Sequence, residues 1–130
     1  MTALPDTARF LAIAERAIEA LPEAFRAPAR QVVVNVVDWP APDMLDELGI
    51  DDPLELTGLY DGIPLTEKSS FDQPYGPDMI WLFRKPILAE WRERGDVDLE
   101  DLVAHVLIHE LAHHFGWSDA DIARIDRWWE

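Results

Sequence analysis

The chain has 130 residues, no cysteine, 26 acidic against 11 basic side chains and a formal net charge of −15. A hydrophobic content of 48% excludes disorder as the default and allows one packed domain. The charge excludes a surface built to grip nucleic acid or an anionic membrane; the absence of cysteine excludes a disulfide framework and any thiolate metal site, leaving His, Asp and Glu as possible metal ligands.

No apolar run approaches the ~20 residues of a membrane helix. The opening MTALPDTARF has an early aspartate and lacks the basic-then-apolar pattern of a leader. No repeat or long linker divides the sequence. The expectation is a single cytoplasmic domain over residues 1–130, with the oligomeric state left open.

In chain order, residues 7–21 place Phe10, Ala14, Ala17, Ile18 and Leu21 on one helical face, with Asp6 or Thr7 as the cap and Pro22 as the stop. Residues 31–37, QVVVNVV, have the β-branched composition of a buried strand. Pro42 to Leu48 reads as a short helix closed by Gly49. LELTGLY, residues 54–60, reads as a second strand, and Pro64 interrupts any long hairpin return. Residues 65–77 collect serine, proline and glycine as a loop does. DMIWLFR, residues 78–84, is a third strand candidate, and Ile87 to Arg94 a short helix ended by Gly95.

Asp98 then caps a long helix to about Phe115, in which Leu102, Val103, Val106, Leu107, Ile108, Leu111 and Phe115 leave little polar surface. Asp101, at its third position, favours the helix dipole. A last short helix is expected over Asp121 to Trp129. The expected fold is α+β: about three strands in one sheet, packed on that central helix.

The central helix ends in HELAHHFGWSD, residues 109–119. His109 and His113 are four apart and so project from one face, one turn apart. Two imidazoles at that spacing can grip one Zn²⁺, and Glu110 beside the first can reach a metal-bound water as general base. Two imidazoles and a carboxylate on so apolar a helix are costly unless paired or metal-bound. Gly116 can end the helix in the left-handed conformation and turn the chain back. Asp119 is then placed as a third ligand, with a fourth position open for water. The competing role of Asp119 is to favour the start of a final helix capped by Ser118.

His105 lies one turn before His109 on the same face, where it either packs in the core or touches a ligand imidazole or the substrate. His114 points about 100° away from His113, towards hydrogen bonding elsewhere, with the sheet as the candidate partner. Tyr60, Tyr75 and Arg84 are candidates to stabilise an oxyanion. Residues 54–60 are the candidate edge strand for an extended peptide.

HExxHxxGxxD resembles the extended metzincin zinc-binding consensus with aspartate as third ligand. Together with LPEAFR (21–26), VVVNVVD (32–38), LTGLYDGIPLT (56–66) and DMIWLFRKPI (78–87), the chain looks like the small bacterial zincin-like metallopeptidases. The resemblance implies a minimal zincin fold with the sheet above the HExxH helix. It also implies one Zn²⁺ held by His109, His113 and Asp119, with Glu110 as base. It departs from true metzincins in one respect: Met1, Met44 and Met79 all precede the motif, so the methionine turn downstream of the third ligand has no counterpart.

The first expectation is a zinc-dependent peptidase acting on a peptide or protein substrate, with Glu110 as general base and a zinc-bound water as nucleophile. The alternative is a non-catalytic, zinc-stabilised binding or regulatory module.

Overall fold

Asp6 opens the first helix by accepting a hydrogen bond from the Arg9 backbone N–H at 2.9 Å, which satisfies one of the donors a helix start leaves unpaired. Helix α1 (Thr7–Glu19) buries Phe10, Ile13, Ala14 and Ile18, a stripe at helical spacing. The computed structural model describes residues 5–61, 79–117, 120 and 122. The expected loop over 65–77 and the expected last helix over 121–129 lie essentially outside these residues.

A second helix, α2 (Glu23–Ala29), was not expected. Pro22 ends the periodicity of α1 but also precedes a new helix with Glu23 in its first turn. Pro28 inside a seven-residue segment masks it from any reading by propensity.

Strand β1 (Val33–Val37) follows, then helix α3 (Pro42–Leu48), closed as expected by Gly49 in the left-handed conformation. The strand expected from residue 54 begins later. Asp52 accepts from the Leu54 N–H at 3.0 Å and opens a 3-10 turn over Pro53–Glu55, so strand β2 covers Gly58–Asp61. Strand β3 (Met79–Phe83) runs directly into helix α4 (Arg84–Arg94). That helix starts three residues before the expected Ile87. Pro86 is tolerated because the first turn of a helix has no carbonyl waiting for its missing N–H.

The described strands form one mixed sheet in the order β1-β3-β2. β1 runs parallel to β3, with Val33 opposite Met79 and Val37 opposite Phe83. β2 runs antiparallel to β3, with Gly58 opposite Leu82 and Asp61 opposite Met79. The valine run was expected to be the buried strand. Instead β3 occupies the centre, with Ile80, Leu82 and Phe83 fully buried, while Val33 is 39% exposed. Among the described residues β1 pairs on one side only, and this edge position overrides its composition.

Helix α5 (Leu99–Phe115) is the expected central helix. Asp98 caps it by accepting from the Glu100 N–H at 2.8 Å, and Leu102, Val103, Leu107 and Leu111 are fully buried. Helix α1 packs along both α5 and β1. Glu100 accepts from Arg9 at 2.6 Å and Arg16 at 3.2 Å, but all three side chains are about half exposed, so these pairs orient the helices more than they stabilise them. The fold is α+β, with a small sheet packed on the helix that carries the histidines.

β2 presses on α5 at Gly58. A Cβ there would lie 2.7 Å from Val106 Cγ1 and 3.3 Å from Glu110 Cγ. The strand approaches the helix so closely because this position has no side chain.

Two outcomes follow from this packing. Leu107→Ala should lower unfolding free energy by about 2–5 kcal/mol in urea titration; a loss below about 1 kcal/mol would place Leu107 outside the core. Gly58→Ala should cost about 1–3 kcal/mol. The double variant Gly58→Ala, Val106→Ala should lose less than the sum of the singles, whereas strict additivity would mean the two positions do not touch.

Candidate metal centre

The last two turns of α5 carry the candidate chemistry. Between residues 102 and 115 only His109 and His113 are exposed. An otherwise buried helix therefore turns two imidazoles outward, on one face and one turn apart. The His105 ring continues the row, 4.2 Å from the His109 ring between centroids. Helix geometry brings His109, Glu110 and His113 to one end of α5, and His105 stands beside them.

Glu110 sits between this exposed face and the sheet. It is partly buried, and burial pushes its carboxyl above the usual carboxylate range; nearby His113 and a hydrogen bond from the Tyr60 backbone N–H act in the opposite direction. Glu110 thus lies against β2 at Gly58 on one side and near a candidate ligand on the other.

His114 occupies the opposite kind of environment. It is 5% exposed, and its Nδ1 lies 3.1 Å from the Tyr60 hydroxyl oxygen. The expected divergence of His113 and His114 is observed, and the sheet does supply the partner of His114. The Tyr60 hydroxyl, a candidate oxyanion donor in the sequence, is therefore engaged with this buried imidazole.

Arg84 is corrected in the same way. Its guanidinium donates to Asp38 Oδ1 at 2.6 Å and to the Pro5 carbonyl at 3.0 Å, and its side chain is 14% exposed. The guanidinium beside Asp38 holds that carboxyl below its ordinary range. Arg84 ties the segment before α1 to the end of β1, which leaves it no role as an oxyanion donor. Tyr75 lies outside the described residues.

Gly116 ends α5 with φ of 65°, a conformation that favours glycine. The Trp117 N–H then bonds the Ala112 carbonyl at 3.1 Å. This reversal stacks Trp117 on Phe115 and sets it edge-on to Phe25 of α2, at 5.3 and 4.8 Å between ring centroids. The sharp turn expected after the histidines is present. Asp119 and its alternative partner Ser118 lie outside the described residues, and among those residues no group of three metal-ligating side chains occurs. The donor set still fits zinc as far as it is described: two outward imidazoles at a turn's spacing and a neighbouring carboxylate that is not needed as a ligand.

A groove of about 200 Å³ opens beside the histidines. Thr57 and Gly58 form one wall, Glu90 and Arg94 of α4 another, and His105, Val106, His109 and Glu110 the floor. Glu90 and Arg94 pair at 3.1 Å across one turn of α4. Nothing in the sequence pointed to these two residues, because an acid and a base four apart on a helix are an ordinary surface pair. Gly58 did leave a signal, since an isolated glycine inside a strand pattern marks close backbone approach. No helix among the described residues is long and apolar enough to cross a membrane.

No curated protein matches the chain. A family model described as zincin-like metallopeptidase matches residues 29–129, a span that takes in β1, the sheet, α5 and the whole histidine motif. With that span added to the sheet-on-helix fold and the outward histidine pair, the chain belongs to the zincin-like metallopeptidase family.

Proposed function

We propose that the chain is a zinc-dependent peptidase, with one Zn²⁺ held by His109, His113 and Asp119. The observation that carries this reading is the pair of exposed imidazoles one turn apart on a mostly buried stretch of helix, beside the partly buried Glu110.

Held by these residues, Zn²⁺ would supply Lewis-acid polarisation of a substrate carbonyl and of a water. Glu110 would accept a proton from the attacking water and return it to the leaving amine, which departs neutral. Tyr60 keeps the carboxylate directed while it does so.

β2 is the strand that would receive the substrate. Among the described residues its far side has no strand partner, and it borders the groove at Thr57 and Gly58. An extended peptide can add there by backbone pairing. The candidate edge strand read from residues 54–60 narrows to Gly58–Asp61, while the 3-10 turn takes up Pro53–Glu55. The groove is small, which favours one side chain of a short or unfolded peptide over a folded protein segment.

Glu110→Gln is the test. It replaces the base by a group of nearly the same shape that cannot accept the proton. The variant should retain zinc at the wild-type level and lose at least about a hundredfold in turnover of a mixed peptide library followed by mass spectrometry. Turnover equal to wild type would remove Glu110 from the mechanism. A wild-type protein that holds zinc yet cleaves nothing in the library would favour the zinc-stabilised binding module.

A further inference from the structure

Tyr60 contacts α5 at two levels. Glu110 and His114 are four residues apart on α5, so their side chains are neighbours one turn apart. β2 meets the first at Gly58, where a Cβ would lie 3.3 Å from Glu110 Cγ, and the nearby Tyr60 backbone N–H favours the charged form of its carboxyl. The Tyr60 hydroxyl oxygen lies 3.1 Å from Nδ1 of the second. His114 is confined as well: its ring is 5.3 Å from the Tyr60 ring and 4.2 Å from the Phe115 ring, and only 5% of the residue is exposed.

β2 needs such an anchor. It has four residues and pairs with β3 alone among the described strands. Its contact with α5 at Gly58 is made by backbone, with no side chain to lock the register. Gly58 and Tyr60 alternate onto the same face of the strand. The first lets the strand close on Val106 and Glu110, and the second reaches the next turn.

We propose that the Tyr60–His114 hydrogen bond fixes β2 against the Glu110 side chain, which the strand meets at Gly58, so that Tyr60 and His114 are positioning residues for the general base. The hydroxyl–imidazole bond sets where β2 lies along α5, and that placement sets the direction of the Glu110 carboxylate relative to His109 and His113. The role assigned to Glu110 rests on the peptidase reading above; the anchoring of β2 by Tyr60 and His114 does not. A buried histidine directly after a candidate ligand thus has a role distinct from metal binding.

Tyr60→Phe in the full chain tests this, since it keeps the ring and removes only the hydroxyl. Two NMR readouts apply: amide hydrogen exchange at position 60 and the side-chain carboxyl ¹³C resonance of Glu110. Exchange at position 60 should rise roughly fivefold, the size expected for one weakened hydrogen bond. The Glu110 carboxyl resonance should move, while the amides of Leu107 and Leu111 keep their wild-type rates. An unmoved Glu110 resonance in Tyr60→Phe would overturn the proposal, as would equal acceleration at Leu107 and Leu111, which would mark the hydroxyl as a general stabiliser. With a cleaved peptide in hand, Tyr60→Phe should lower kcat and leave KM near wild type. Failure to find any such peptide would count against the peptidase reading and leave the NMR outcome to decide the anchoring.

Discussion

The approach of β2 to α5 is the constraint on which the candidate centre depends. Where Gly58 meets Val106 and Glu110, a single methyl group would overlap the helix, at 2.7 Å from Val106 Cγ1. That closeness lets a backbone N–H of the strand reach a carboxylate of the helix. It also makes one wall of the groove out of Thr57 and Gly58. A wider strand–helix gap would leave Glu110 more hydrated and without the Tyr60 N–H, and would remove the physical cause of its raised pKa. The sheet, though small, acts as the part that orients the chemistry of the helix.

The division of labour around α5 follows from this. Its apolar faces are consumed by the sheet, α1 and α4, leaving the His109 and His113 face open. Four histidines share the helix, and their environments set them apart. His109 and His113 face outward, His105 lines the groove and His114 is buried against Tyr60. The same residue type is available to a metal in one place and serves as a packing and hydrogen-bonding element in another, by its position around the helix.

Much of this was legible in the sequence, for identifiable reasons. α5 announced itself through its apolar residues, the Asp98 cap and Gly116, because a long helix with both ends marked repeats its signal many times. The His109–Glu110–His113 set followed directly from helical spacing. The strands were legible as existing but not in their roles. The valines of β1 suggested a central strand, yet pairing put β3 there, and local composition carries no information on strand order. Residues Leu54 to Thr57 read as strand until Asp52 and Pro53 started a turn. α2 was hidden by its own proline. The two oxyanion candidates that the structure describes failed because a hydroxyl or guanidinium does not reveal its partner in sequence: Tyr60 bonds His114, and Arg84 bonds Asp38 and Pro5.

The central claim is a zinc centre at the end of α5, and metal content tests it most directly. Inductively coupled plasma mass spectrometry on tag-free protein, wild type beside His113→Ala and Asp119→Ala, should find about one zinc per chain in the wild type and strongly reduced retention in both variants. Zinc retained by Asp119→Ala as tightly as by wild type would contradict the three-ligand set. No zinc in the wild type, even after zinc is added back, would contradict the centre itself.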